Sequence, residues 1–98
     1  MKYELIVRPE AEADIEESFN WYEDQDHGLG HDFRSEVNRC LELIEARPLM
    51  YPEVYRGLRR AVMDLFPYSV YFLVRERRIF ISACIHQKRH PRVWKSRR

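Results

Sequence analysis

The sequence predicts a two-layer α+β fold of order β-α-α-β-β-β, with a helical hairpin packed on one face of an antiparallel sheet. Three observations carry that prediction. A short alternating run precedes Pro9, two successive apolar stripes recur at helical spacing between residues 11 and 44, and the period changes to two from Leu58 onward.

Lys2 to Arg8 alternates, with Tyr3, Leu5 and Val7 on one side and Glu4, Ile6 and Arg8 on the other, which is a strand with one better-buried face. Pro9 ends it and opens a helix, because proline suits the first helical position and Glu10 and Glu12 suit the positive end of the helix dipole. Ala11, Ile15, Phe19 and Tyr22 form the buried stripe, with Glu12, Glu16, Glu23 and Asp26 left in water. Gly28-Leu29-Gly30 breaks this pattern. A second stripe follows at Leu29, Phe33, Val37, Cys40, Leu41 and Ile44 and stops at Arg47-Pro48, where the residue before a proline disfavours helix. Two helices joined by so short a turn make an antiparallel hairpin.

Residues 48 to 57, with Pro48, Pro52 and Gly57, read as a connector. Three strands then follow, at about 58 to 64, 68 to 75 and 79 to 86, joined by Phe66-Pro67 and Glu76-Arg77. Such short connections favour an antiparallel meander. On the last strand, Ile79, Ile81, Ala83 and Ile85 are expected to face the helices, and Phe80, Ser82, Cys84 and His86 to face away.

Ninety-eight residues, 45% hydrophobic and 34% charged, suit a single folded domain over 1–98 and exclude a two-domain enzyme. The longest uncharged apolar stretch, Leu65 to Val74, is ten residues and includes Pro67. That is well short of the roughly 20 that cross a bilayer, so no membrane partner is expected. The start of the chain lacks a basic-then-apolar signal, so the expected location is the reducing cytoplasm, with Cys40 and Cys84 as free thiols.

A net charge of +1 conceals a division. Residues 1–55 hold 5 Lys/Arg against 14 Asp/Glu, whereas residues 56–98 hold 12 against 2. A basic half of this kind offers a surface to phosphates or to an acidic protein segment, and attraction through it weakens with salt. The alternative is that the two halves neutralise each other within one fold. The face of the sheet away from the helices is expected to gather Arg59 or Arg60, His86, and the tail Gln87-Lys88-Arg89-His90-Pro91-Arg92-Val93-Trp94. Arginine forks suit phosphate, and an aromatic ring beside them stacks on a base or a peptide; the same charges also serve as edge protection against aggregation. Trp94, surrounded by Lys88, Arg89, Arg92 and Lys95, is expected to stand out as a contact rather than to bury.

Other constellations are weaker. His27 and His31 are spaced by four but interrupted by Gly28 and Gly30, and no carboxylate completes a metal set, so no metal or other cofactor is expected. Cys84 and His86 share a strand face about 6.5 Å apart, too far for the contact that activates a thiolate. Cys40 sits in an apolar stripe and reads as core.

Ala11-x-x-Asp14-Ile15, Trp21-Tyr22-Glu23-x-x-x-x-Gly28-Leu29-Gly30-x-x-Phe33, Phe66-Pro67-Tyr68-x-Val70-x-Phe72 and Ile79-x-Ile81-x-Ala83-x-Ile85-His86-x-x-Arg89-x-Pro91-x-x-Trp94 together resemble the RelE/ParE superfamily of bacterial toxins from type II toxin-antitoxin pairs. The likeness spans nearly the whole chain and coincides with the element order derived above. It implies a cytoplasmic growth inhibitor of the plasmid-stabilization kind, neutralised by a cognate antitoxin and reaching operator DNA only indirectly, through that antitoxin. It also implies one of two targets: ribosome-bound messenger RNA, cut by the RelE branch, or DNA gyrase, poisoned by the ParE branch. Ser69 follows Tyr68 where the nucleases often place arginine, and Trp94 stands where they place a tyrosine. Indole has no titratable proton for acid-base work, so the ParE-like mechanism is favoured. If the chain is a nuclease, Arg60, His86 and Arg89 are the expected catalytic residues. Otherwise Arg59, Arg60, Lys88, Arg89, Arg92 and Trp94 bind the target or the antitoxin. A third alternative is an inactive member that only binds its antitoxin.

Overall fold

In the computed structural model, which describes residues 2–98, the alternating N-terminal run forms β1, Glu4–Val7. Arg8 is extended and hands the chain to helix α1, Pro9–Gln25, with Pro9 at its start and Glu10 and Glu12 in its first turn. Helix α2, Leu29–Ala46, begins after Gly28, whose φ of 93° is the left-handed conformation that glycine accepts without strain. Glu23 closes this turn: its Oε2 and Oε1 accept the backbone N–H groups of Gly28 and Gly30, each at 2.9 Å. A carboxylate thereby satisfies donors that the start of α2 would otherwise leave open. Gly30 is buried because the hairpin closes there; a Cβ would lie 2.6 Å from the Phe19 carbonyl oxygen.

After a single 3₁₀ turn at Pro48–Met50 come four strands: β2, Glu53–Tyr55; β3, Leu58–Val62; β4, Tyr68–Arg75; and β5, Arg78–His86. The sheet order is β1-β5-β4-β3-β2. The α+β class and the helical layer match the sequence expectation, while the sheet is mixed rather than wholly antiparallel, because β1 runs parallel to β5. Physically, the α1–α2 hairpin carries the chain from β1 to the opposite edge of the sheet, and the antiparallel run β2 to β5 returns it to lie parallel beside β1. The connector contributes β2, and the tail folds into a short helix α3, Pro91–Lys95, neither of which the sequence reading contained.

Apolar residues cover both sheet faces. Between helices and sheet lie Ala11, Phe33, Val37, Ile44, Val70, Phe72, Ile79 and Ile81, with Tyr22 stacked on Phe33. On the other face, Leu58, Tyr71, Leu73, Ala83 and Ile85 pack under Val93 and Trp94 of α3. The expected facing of β5 therefore holds only for its first half. Tyr71 pairs with Ala83 but Phe72 pairs with Ile81, so Ser82 is an extra residue in the ladder. Such a bulge inverts the alternation beyond it. Cys84 and His86 face the helices, and Ala83 and Ile85 face away, the reverse of the prediction.

Beyond Val7, β5 loses its parallel neighbour. Helix α1 replaces it: Asp14 Oδ2 accepts the Cys84 backbone N–H at 3.0 Å. Arg97, just past α3, donates to both oxygens of Asp14 at 2.9 and 3.1 Å and to the Ser82 carbonyl at 3.0 Å. One carboxylate thus ties α1, β5 and the C-terminal segment together.

Candidate functional site

The sheet face opposite the helices collects most of the predicted basic residues. Arg60 on β3 stands opposite Tyr71 on β4, and Val62 stands opposite Ser69. Past β5, the turn bends Lys88, Arg89 and His90 over the same face, and these side chains with Trp94 line an open hollow of about 690 Å³. Helix α3 is set by local chemistry: Pro91 occupies its first turn, and His90 Nδ1 accepts the Arg92 backbone N–H at 3.0 Å as its cap. Arg92 itself is exposed on α3 beside Tyr55, His90 and Lys95.

Trp94 does not stand out among the charges as expected. It lies flat on Tyr71, ring centres 4.7 Å apart and planes 10° from parallel, with Tyr55 edge-on at 6.5 Å. Basic neighbours did not prevent this, because Lys95 Nζ lies over the Trp94 and Tyr55 rings rather than competing with them for the sheet. The half-buried indole still borders the hollow, as one wall of it.

Two expected members are elsewhere. Arg59 points to the helix side, where its Nη1 donates to the carbonyls of Tyr51 and Leu49 and pins the 3₁₀ turn. Of the pair Arg59 and Arg60, only Arg60 reaches the open face. The Ser82 bulge carries His86 through to the helix side, edge-on to Tyr68 at 5.2 Å, with its Nδ1 accepting the Lys88 backbone N–H at 3.0 Å. There it borders a second hollow, of about 350 Å³, with Trp21, Tyr22 and Tyr68. Arg89 sits at the rim of both hollows. Arg60, His86 and Arg89 therefore do not converge: the sheet separates the histidine from Arg60.

The open-face hollow can hold anionic groups and present aromatic surface. Its acid-base repertoire is narrow, since His90 Nδ1 is an occupied acceptor and a neutral ring then carries its proton on Nε2, as a donor. Thiol chemistry is remote as well. Burial, with Asp14 nearby, pushes the Cys84 thiol well up, and burial raises Cys40 to about 11. Burial beside Tyr68 likewise lifts Tyr22 to about 12, so its hydroxyl stays protonated at neutral pH. Of the histidine pair considered for metal, His27 lies 3.2 Å from Glu23 and His31 packs edge-on to Phe19.

Sequence reasoning missed Tyr71, Asp14 and Arg97 as supports of this site. The signal for Asp14 was present, as an acidic residue between Ala11 and Ile15 on the stripe side of α1. Its partner 83 residues away was not legible from local pattern.

The family model described as ParE toxin of type II toxin-antitoxin system, parDE, matches residues 5–91. No curated protein matches the chain in sequence. Among solved structures, a chain from the chromosomal ParDE TA system of P. aeruginosa aligns with a TM-score of 0.79 over 87% of this chain and 96% of that one, at 16% identity, which bears on the fold. With a match from β1 through the start of α3, this chain belongs to the ParE toxin family of type II toxin-antitoxin systems.

Proposed function

We propose that this toxin inhibits growth by binding DNA gyrase through the open sheet face and α3, without cutting nucleic acid, and that a cognate antitoxin holds it inactive. One observation carries the choice against messenger RNA cleavage: the bulge at Ser82 puts His86 and Arg60 on opposite sides of the sheet. Cleavage needs a proton-transfer group within about 3 Å of the reacting hydroxyl and cations on the same phosphate. Arg60, Lys88 and Arg89 supply cations, and among the described residues no histidine with a vacant acceptor joins them, since Nδ1 of His86 and of His90 each already accepts a backbone N–H. Arginines around an aromatic wall suit protein recognition, where Arg and Trp are favoured anchors.

The experiment is induction of the chain alone in cells. Growth stops, plasmid supercoiling by gyrase falls in extracts, and primer extension on translated messages shows no new ends. Codon-periodic cleavage that disappears in Arg89→Ala would overturn the reading and establish the nuclease. The antitoxin arm is separate: charge complementarity with the basic half predicts that affinity falls with added salt and on Arg60→Glu. An affinity indifferent to both would place the antitoxin on apolar surface instead.

A further inference from the structure

The two layers divide the charge. Helices α1 and α2 carry Glu10, Glu12, Glu16, Glu17, Glu42 and Glu45, whereas the open sheet face carries arginine at both ends. One end is the hollow at Arg60 and Arg89. The other is the β4–β5 hairpin, where Arg75 and Arg78 stand directly opposite each other on the same side as Leu73 and Phe80. With Phe80 and the turn residues Glu76 and Arg77 they line a separate hollow of about 360 Å³, in which one carboxylate faces three guanidinium groups. Arg8, just past β1, lays its guanidinium over Phe80 at 5.1 Å with one donor 3.4 Å from Ser82 Oγ. Stacking occupies the plane of the group and leaves its edge donors directed outward.

Two features of this hairpin ask for an anion. Like charges directly opposite in a ladder destabilise it, and Arg75 and Arg78 are so placed. Charges on strands commonly guard free edges, yet β4 and β5 are interior strands. Glu4 lies 3.4 Å from Arg78, but both side chains are about two-thirds exposed, so the pair is weak. Among the described residues, neither Arg75 nor Arg8 forms an ion pair: Arg75 Nη1 donates to the Val74 carbonyl at 3.2 Å and lies beside Gly57 with Glu53 nearby, and Arg8 reaches only Ser82 Oγ.

The shape of the face selects the ligand. Val93 and Trp94 cover the apolar middle of the face, so what it offers a ligand away from α3 is mainly charge rather than apolar surface. What remains is a basic ridge on α3, with Arg92 and Lys95, between two arginine clusters. Separated guanidinium forks match a phosphodiester backbone.

We propose that Arg8, Arg75 and Arg78 form a phosphate-contact site for duplex DNA, distinct from the surface at Arg60 and Arg89. The test is fluorescence anisotropy of a labelled duplex of arbitrary sequence titrated with the full chain over a range of salt. Binding weakens with salt. Arg75→Gln with Arg78→Gln lowers affinity roughly tenfold at low salt and reduces the log–log salt slope by about 2, at about 0.9 per lost contact. Arg34→Gln with Arg39→Gln, which removes equal charge from α2, changes neither. If melting shows the hairpin variant misfolded, Arg8→Gln alone carries the test, with a slope reduced by about 1. Equal losses from the sheet and helix variants would reduce the effect to net charge and overturn the proposal, as would no binding by the unaltered chain. Competition by polyglutamate as strong as that by unlabelled duplex would overturn it too, marking an acidic-protein surface. Supercoiling and DNA binding are read separately, so this site and the gyrase reading can fail independently.

Discussion

Removing the Asp14 carboxylate should cost this fold more than its surface position on α1 implies. Asp14 and Arg97 side chains are only 18% and 20% exposed, and the carboxylate accepts from Cys84 on a buried strand as well as from the guanidinium. In Asp14→Ala the Cys84 N–H loses its partner, about 1–3 kcal/mol, and the freed guanidinium adds about 1 kcal/mol. The expected total is about 3 kcal/mol, a large fraction of the roughly 5–15 kcal/mol a small domain possesses. Arg97→Ala should cost less, about 1–2 kcal/mol, since Asp14 keeps its bond to Cys84 and gains water while the Ser82 carbonyl loses its guanidinium donor. Asp14→Asn should fall between, because an amide oxygen can still accept from the strand. Urea unfolding of the three variants and of the Asp14→Ala/Arg97→Ala double variant decides it, with a coupling of about 1 kcal/mol expected from the cycle. An Asp14→Ala cost below about 0.5 kcal/mol, or one matched by Arg97→Ala, would refute the idea that the carboxylate substitutes for a missing strand.

Trp94→Ala should lower stability by about 2 kcal/mol, less than the 3–5 typical of a fully buried ring, and shift melting by roughly 10 °C; no shift would return Trp94 to a purely external role. Gly30→Ala drives a methyl to within 2.6 Å of the Phe19 carbonyl and should cost about 1–3 kcal/mol in thermal melts, whereas Gly28→Ala meets no atom within 4 Å and should show only the left-handed backbone penalty of about 1–2 kcal/mol. Glu23 has its carboxyl held below the usual range, first by the Gly28 N–H. A depressed folded value means that its contribution is complete above the ordinary carboxylate range and is lost as pH falls through the folded value. Stability measured from pH 6 down to about pH 3 should therefore fall less steeply in Glu23→Gln than in the unaltered chain, and parallel curves would exclude the carboxylate as the cause.

The helices were legible because their buried stripes are local: Ala11, Phe33, Val37 and Ile44 recur at the period of the element that carries them. The long strands declared themselves similarly. What was not legible depends on partners far along the chain. Nothing near Glu4 says that it will pair with Arg78, and three residues of β2 between Pro52 and Gly57 are too few to show alternation. The bulge was hidden for a different reason. Both faces of β5 are covered, so apolar residues from Ile79 to Ile85 satisfy either facing and the sequence carries no mark where parity changes. Helix α3 does leave a trace in His90-Pro91, a cap followed by proline at the first turn, within the basic tail.

Ser82 makes the chemistry of this scaffold a question of odd and even. Without that one inserted residue, the alternation of β5 would run on unbroken, and the positions of Cys84 and His86 would exchange sides with those of Ala83 and Ile85. An imidazole would then emerge beside Arg60 and the basic turn, and the same list of side chains would hold a proton-transfer group and phosphate-binding forks in one place. A single-residue deletion, leaving composition, charge and element order almost untouched, could thus carry a surface suited to recognition toward one suited to hydrolysis. On this scaffold, the counting of residues along a strand is as informative as their identity.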